Sequence, residues 1–241
     1  MIKTIQGMVV SEVPFKESSK ILNILTKDGI IGVISKGCKN IKSNLRIISN
    51  KLIYGEFTIY YNENKLSTLK EGTIINELEY LKSDLTLISY LIYITDLTKE
   101  VYKESVDNSL YDLYISTVLK MNDGLNPLVM TNIYEIKLLD YIGIPINFDK
   151  CIKCGSSEDI ITFNVYDGGY ICKNCYQDEL IYDNKVLKML KMYYLVDINS
   201  IKELKISDKV INDINSILEE YYNRYSGLYI KSKEFIKRVI E

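Results

Sequence analysis

Two cysteine pairs, Cys151-Ile152-Lys153-Cys154 and Cys172-Lys173-Asn174-Cys175, stand 17 residues apart and hold four of the chain's five cysteines. Two residues between cysteines form a tight turn that aims both sulfurs at one point, and two such turns supply the four thiolates of a tetrahedral zinc site. The apolar segments between the pairs, Ile160 to Val165 and Tyr170-Ile171, are typical of a small hairpin that carries the second pair. The spacing therefore predicts a zinc-ribbon-like module.

Three alternatives for the cysteines fit this pattern less well. A thioredoxin-like redox site needs only one such pair at a strand-to-helix junction. Disulfides rarely persist in the cytoplasm, the compartment expected because Met1-Ile2-Lys3-Thr4 leads into strand-like sequence without a signal peptide. A catalytic zinc usually keeps three protein ligands and an open position, whereas four thiolates close the shell. We therefore expect one structural zinc per chain on Cys151, Cys154, Cys172 and Cys175, with iron left open as another occupant and Cys38 not a ligand.

The composition excludes several classes of enzyme. The 241 residues include no histidine, so a Ser-His-Asp triad, a Cys-His dyad and histidine-based metal catalysis are all impossible. There is no phosphate-binding GxxxxGK[ST] loop, and the carboxylates are scattered. No apolar run approaches the ~18 residues that span a membrane. The sequence thus favours a protein that is not an enzyme and does not cross a membrane.

The pattern of apolar residues predicts an α+β protein in two domains. Residues 1–80 contain five or six short stretches with strand periodicity, which favours a small barrel, and the commonest barrel of this size is the OB-fold. From Ser83 the period becomes helical, and Asn126-Pro127 is a typical helix start. Further helices are expected near 184–196, 207–225 and 231–240. We predict an N-terminal OB-fold β-barrel (1–80), then an α-helical domain (81–241) carrying the four-cysteine zinc knuckle as an insertion at 148–178.

Positive charge collects in the predicted barrel. Residues 1–80 hold 11 basic and 8 acidic side chains, against 19 and 24 in residues 81–241. Between residues 29 and 55 there is no Asp or Glu, yet the segment contains Lys36, Lys39, Lys42, Arg46 and Lys51. Cations spaced along a flexible loop can follow a phosphate backbone, although such a run is often only a solvated surface. Because the run lies on a barrel, we predict DNA binding there, with Tyr54 and Tyr60 as candidates for stacking on bases.

Several segments, taken in order, resemble the RecO family of recombination mediators. They are Gly7-Met8-Val9-Val10, the stretch from Lys20 to Gly29, Ser35-Lys36-Gly37, Ser43-Asn44-Leu45-Arg46, the two cysteine pairs and the stretch from Gly227 to Phe235. The resemblance covers essentially the whole chain. Cys38 departs from the pattern, since a small residue, usually alanine, tends to follow Lys-Gly there. Some members of the family lack the zinc ligands, which agrees with a structural role for the metal.

The resemblance implies binding of single- and double-stranded DNA and annealing of complementary strands. It also implies partnership with RecR, help in loading RecA onto DNA coated with single-stranded DNA-binding protein, and work near the bacterial nucleoid. Family members contact the acidic tail of single-stranded DNA-binding protein through the helical domain. Lys185, Lys188 and Lys191 recur beside apolar residues and are the candidates here, although a plain amphipathic helix gives the same pattern. Two other functions stay open: a zinc-ribbon protein–protein adaptor without DNA affinity, and an oligosaccharide or RNA binder on the same barrel.

Overall fold

The amino-terminal part of the chain forms a closed five-stranded barrel. The computed structural model describes residues 1–104 and 106–240. The barrel strands are β1 (Ile2–Phe15), β2 (Ser19–Thr26), β3 (Gly29–Ser35), β4 (Tyr54–Tyr60) and β5 (Ser67–Asn76). They follow the order β1-β2-β3-β5-β4, with β4 closing on β1, and only the pairing of β3 with β5 is parallel. This arrangement confirms the predicted barrel of OB type at the start of an α+β chain.

The barrel encloses one apolar core, because alternate strand residues point inward. In β4 the inward residues are Phe57 and Ile59, both fully buried. The buried members of this core are Val9, Leu22, Ile24, Val33, Ile48, Ile53, Phe57, Ile59 and Leu69. Ile48 and Ile53 come from the segment between β3 and β4, so that segment belongs to the core as well as to the surface.

Helices join the barrel in the first of two compact units, which takes residues 1–115 and the carboxy-terminal helix. The helices of this unit are α1 (Glu79–Lys82), α2 (Leu85–Glu104), α3 (Asn108–Asn122, in its first half) and α7 (Lys231–Ile240). The Tyr111 hydroxyl donates to the Gln6 carbonyl at 3.4 Å, and Lys27 pairs with Asp112 at 2.9 Å. These contacts fix helices to strands within the first compact unit, which extends to residue 115, while the domain boundary at residue 80 stays a prediction.

The second compact unit takes residues 116–231 and combines helices with a three-stranded sheet. Its elements are α4 (Pro127–Tyr141), β6 (Asn147–Cys151), β7 (Ile160–Asn164), β8 (Gly169–Cys172), α5 (Asn184–Leu195), a 3-10 turn (Ile198–Ser200) and α6 (Asp208–Tyr225). The Asn126 side chain accepts from the Val129 N–H at 3.1 Å, so α4 begins with the predicted cap followed by a proline. Helix α4 packs on α5 and α6.

The expected hairpin between the cysteine pairs is present as β7 and β8. A third strand, β6, was not expected, and it gives the sheet the order β6-β8-β7 with β6 parallel to β8. The predicted helices near 184–196, 207–225 and 231–240 agree with α5, α6 and α7 to within a residue or so. No helix in the described ranges is both long and apolar enough to cross a membrane.

Candidate metal centre and nucleic-acid interface

The four cysteines of the two pairs converge on one point. Their Sγ atoms all lie within 4.8 Å of one another, and Cys154 Sγ is 3.6 Å from Cys172 Sγ. A tetrahedral zinc site with Zn–S bonds of about 2.3 Å has sulfur–sulfur edges of about 3.8 Å. All four are free thiols. The sulfurs are therefore positioned to hold one metal ion, and the donor set fits the structural zinc that the spacing predicts.

Strand ends and tight turns position these sulfurs. Strand β6 ends at Cys151 and β8 ends at Cys172, and the two strands are neighbours in the sheet. The Gly155 N–H donates to the Cys151 carbonyl at 2.8 Å, and the Cys175 N–H donates to the Cys172 carbonyl at 3.0 Å. Each hydrogen bond closes a turn that returns the second cysteine of the pair to the first, so a cation at the centre would link both knuckles.

The thiols have unequal proton affinities. Burial alone would raise the pKa of Cys151, but N–H groups of Cys172, Cys154 and Lys153 outweigh it and lower the pKa to about 6. The hydrogen bond to the Cys154 side chain, followed by burial, raises the pKa of Cys175 to about 12. Four thiolates this close repel one another, so a bound dication is what allows them all to lose their protons.

Glu179 braces the cysteine module from outside. Its carboxylate accepts from the Gln177 N–H at 2.9 Å, from Lys153 Nζ at 3.1 Å and from Asn164 Nδ2 at 3.2 Å. These donors, the Gln177 N–H foremost, hold the pKa of Glu179 at about 2, well below its usual value. Lys153 lies within the first pair and Asn164 in β7, so one side chain ties the first knuckle and β7 to the segment that follows the second pair. Sequence inspection missed this residue, because nothing in the spacing singles out one carboxylate among many.

The acid-free segment presents its cations to solvent. We call residues 36–51 the basic loop. Lys36, Lys39, Lys42 and Arg46 are exposed and Lys51 is partly exposed. Within the described residues, none of the five makes an ion pair. Their charges are therefore available to an external anion.

The basic loop is a series of turns with buried anchors, where the sequence predicted only an irregular loop. Successive backbone hydrogen bonds close turns at Asn40, Ser43 and Arg46, with N···O distances of 3.0 to 3.1 Å. Cys38 is only 1% exposed, so this residue, predicted to be incidental, is buried within the loop. Compact surface loops are packed by their own side chains. The cations thus project from a fixed surface.

Two glycines make room for the loop on the barrel. A Cβ atom added to Gly55 would lie 2.8 Å from Ile48 Cδ1, and one added to Gly72 would lie 2.9 Å from Ile48 Cγ1. Ile48 is 2% exposed and packs into the space that these glycines leave. The glycines of β4 and β5 therefore allow the basic loop to approach the sheet closely.

The two predicted stacking residues have different surroundings. Tyr60 is 50% exposed and has an accessible ring. Tyr54 is 6% exposed, and its hydroxyl is hydrogen-bonded to Gln6 Nε2 at 2.5 Å. The helix bearing Tyr111 covers the strand end where Gln6 lies, so Tyr54 is buried although it faces away from the barrel core. Its ring cannot receive a base, and we correct that expectation.

The three lysines of α5 separate into two groups. Lys188 and Lys191 line a pocket of about 520 Å³ whose other lining residues are mainly apolar, while Lys185 is exposed and does not line it. The apolar lining includes Ile160, Leu187, Met192 and Leu195. Lys191 Nζ is 3.1 Å from Asp149 Oδ1, and Lys188 makes no ion pair within the described part of the chain. The structure therefore joins two of the three predicted cations to an apolar cavity that the sequence did not reveal.

The chain combines a closed barrel that bears a cationic loop with a helical region that contains a four-cysteine centre. These features define its class, an OB-type barrel protein with a thiolate metal centre. Comparison with known families gives the same result. The family model described as "Recombination protein O N terminal" matches residues 1–78, and that described as "Recombination protein O C terminal" matches residues 82–234. The chain belongs to the RecO family.

Curated relatives match along more than nine tenths of their length. The "DNA repair protein RecO" of Halalkalibacterium halodurans is 31% identical, with 99% of this chain and 96% of the relative aligned. That of Bacillus pumilus is 30% identical, with 97% and 93% aligned. That of Listeria monocytogenes is 28% identical, again with 97% and 93% aligned. The resemblance drawn from the motifs is confirmed.

Proposed function

We propose that the protein is a non-enzymatic mediator of recombinational DNA repair at the bacterial chromosome. It binds single- and double-stranded DNA through the basic loop and anneals complementary strands. Together with RecR it assists RecA in loading onto DNA coated with single-stranded DNA-binding protein. Family membership and the names of the relatives support this role. The observation that carries it is the set of unpaired cations, Lys36, Lys39, Lys42, Arg46 and Lys51, on an acid-free loop anchored to an OB-type barrel.

The geometry of the loop suits a nucleic-acid backbone. Phosphates are contacted mainly by Lys, Arg and backbone N–H groups, and such contacts position the strand without reading its sequence. An anchored loop loses little conformational entropy on binding, so its cations act from prepared positions. Tyr60 is the remaining candidate for stacking on an unpaired base. We propose that the loop holds the backbone and leaves the bases free to pair with a second strand.

Annealing of coated strands tests the proposal directly. Complementary oligonucleotides are each saturated with single-stranded DNA-binding protein, mixed, and followed by fluorescence quenching as the duplex forms. We expect the protein to accelerate annealing at least about tenfold, because it lowers the repulsion between two polyanions. No acceleration, together with no measurable affinity for bare oligonucleotide, would favour the protein–protein adaptor instead.

We further propose that the pocket beside α5 receives the acidic tail of single-stranded DNA-binding protein. Lys188 and Lys191 provide positive charge at the rim, and Leu187, Met192 and Leu195 provide an apolar floor and wall. Met192 and Leu195 are 38% and 65% exposed, an arrangement that leaves apolar surface for a partner. A peptide with both carboxylates and an apolar side chain matches this combination.

Two substitutions at the rim of the pocket should change peptide affinity in opposite directions. Lys188→Glu should weaken binding of a fluorescein-labelled tail peptide about tenfold, because an attraction becomes a repulsion. Asp149→Asn should strengthen it about two- to threefold, roughly the worth of an exposed pair, because Asp149 now competes with the peptide for Lys191. Fluorescence anisotropy at low salt measures both.

Lys185→Glu is the matched control, since Lys185 lies on the same helix but outside the pocket. Equal losses for the Lys185 and Lys188 reversals would show a general effect of helix charge and would contradict this placement of the tail.

A further inference from the structure

The pocket beside α5 shares a wall with the cysteine centre. Tyr170 lines the pocket from β8, and Ile160 lines it from β7. Tyr170 is paired in the sheet with Cys151 and lies two residues before Cys172. Its carbonyl accepts from the Ile152 N–H at 2.8 Å, next to the first of these two ligands. One residue of the pocket thus pairs in the sheet with one ligand, Cys151, and lies on the same strand as a second, Cys172.

Tyr170 also contacts the helix that supplies the rest of the pocket. It is 5% exposed, and its hydroxyl donates to the Leu187 carbonyl in α5 at 2.5 Å. Its ring packs against Phe148 of β6, with centroids 5.9 Å apart. Phe148 in turn packs on Tyr194 of α5, with centroids 5.2 Å apart. A shift of β6 or β8 would thus move the floor of the pocket against its lysine-bearing helix.

A second cavity is also lined by a strand of the cysteine module. A pocket of about 400 Å³ is lined from β6 by Asn147, Phe148 and Asp149. Lys191 and Leu195 line both cavities. Strand β6 ends at the ligand Cys151. Each cavity is therefore lined by a strand that ends at one of the four cysteines, β8 for the first and β6 for the second.

The sheet that carries these residues is small. Its strands contain five, five and four residues. A sheet this small depends on what packs against it, and here Phe148 and Tyr170 contact α5. A metal on the four thiols would join the end of β6 to the end of β8, which is the parallel pair that carries Phe148 and Tyr170.

We propose that the metal centre organises the acidic-peptide pocket, with Tyr170 as the positioning residue between them. Metal ligation fixes β6 and β8, and this holds Tyr170 under α5 so that the apolar cavity and its two lysines stay together. Loss of the metal frees β6 and β8 to move and lowers peptide affinity, whereas the affinity of the barrel for DNA is unchanged. The inference rests on the proposed function of the pocket, and it adds that the protein binds its partner more tightly when the centre is loaded.

The experiment compares zinc-loaded, chelator-treated and zinc-restored full-length protein. Affinity for the fluorescein-labelled tail peptide and for a single-stranded oligonucleotide is measured on each sample, and far-UV circular dichroism records helix content. The exposed position of Cys154 gives a chelator access to the site. We expect peptide affinity to fall at least about tenfold without metal and to recover with zinc, while DNA affinity stays within about twofold. Unchanged peptide affinity in the metal-free protein would overturn the inference.

Variants that keep the metal show whether peptide affinity changes without unfolding of the protein. Tyr170→Phe removes only the hydroxyl that bonds to Leu187, so the loaded variant should bind the peptide about three- to fivefold more weakly, the effect of one lost hydrogen bond. Tyr166→Phe is the control, because Tyr166 lies in the same module, is 63% exposed and does not line the pocket. If the metal-free protein loses helix content, the result with Tyr170→Phe is the decisive one. A zinc-loaded Tyr170→Phe protein that binds the peptide as tightly as the wild type would overturn the inference.

The outcomes distinguish the coupling to the metal from the proposed binding of the peptide in the pocket. Failure of loaded wild-type protein to bind the peptide at all overturns both the pocket assignment and its coupling to the metal. Binding that is equal with and without metal overturns the coupling alone and leaves the pocket assigned.

Discussion

Reversal of the four exposed cations of the basic loop should weaken DNA binding at least about a hundredfold at low salt. The variant carries Lys36→Glu, Lys39→Glu, Lys42→Glu and Arg46→Glu. None of these cations has an ion-pair partner within the described residues, so their loss costs the folded protein little while it removes the counter-charge for the phosphates. Each phosphate contact releases a counterion from the DNA when the protein binds, so fewer contacts make binding less dependent on salt. The slope of log K against log salt should therefore become shallower by about 3.

The measurement is a salt titration of binding between about 50 and 200 mM salt, with a labelled single-stranded oligonucleotide. A second quadruple variant reverses Lys150, Lys202, Lys209 and Lys231, which are exposed but lie outside the barrel and the loop. It has the same net charge and should lose far less affinity. Equal losses in the two variants would show that overall charge, and not the loop, governs binding.

Removal of one cysteine ligand should cost the protein its metal and much of the stability of its second compact unit. We expect about one zinc per chain in the wild type and none in Cys154→Ser, because three thiolates bind far more weakly than four. Structural zinc binding contributes on the order of 10 kcal/mol in isolated peptides. If about 3 kcal/mol of this appears as stability, the melting temperature falls by ~10 °C. Metal analysis and thermal circular dichroism measure the two effects.

Cys38→Ala provides the matched control for this experiment. Cys38 is the one cysteine outside the cluster of four, and it is buried in the basic loop. This variant should keep its zinc, and any fall in its melting temperature reflects lost packing. A Cys154→Ser protein that lacks metal yet melts at the wild-type temperature would show that the centre does not stabilise the fold.

Local patterns made the four-cysteine centre and the order of the elements predictable. The ligands of each pair are three residues apart, so the turn that joins them is determined by the chain near them. Asn126 and Pro127 likewise determine where α4 begins, since a cap and a fixed φ act within one turn of helix. The five strands of the barrel follow from alternating apolar residues. Features of this kind depend on neighbours in sequence.

Features that depend on distant residues were missed or wrongly placed. Tyr54 has an outward position in β4, but Tyr111, which lies 57 positions later, belongs to the helix that covers that end of the strand. Strand β6 forms because β8 offers it a parallel partner, and nothing within residues 147–151 signals that. Glu179 becomes a brace only because Lys153 and Asn164 are folded against it.

By itself, the sequence determined that this RecO-family protein has a cationic loop on a barrel and a closed thiolate centre, because charge and cysteine spacing are written along the chain. Only the tertiary structure decided which cations stay unpaired, which tyrosine stays exposed and which lysines border a cavity. Burial and pairing are properties of surfaces that meet across the fold, so α5 gains its pocket from the strands β6, β7 and β8 that pack beside it. The basic loop is packed onto the barrel through Ile48, which fills the space left by Gly55 and Gly72, a contact that exists only in the folded barrel.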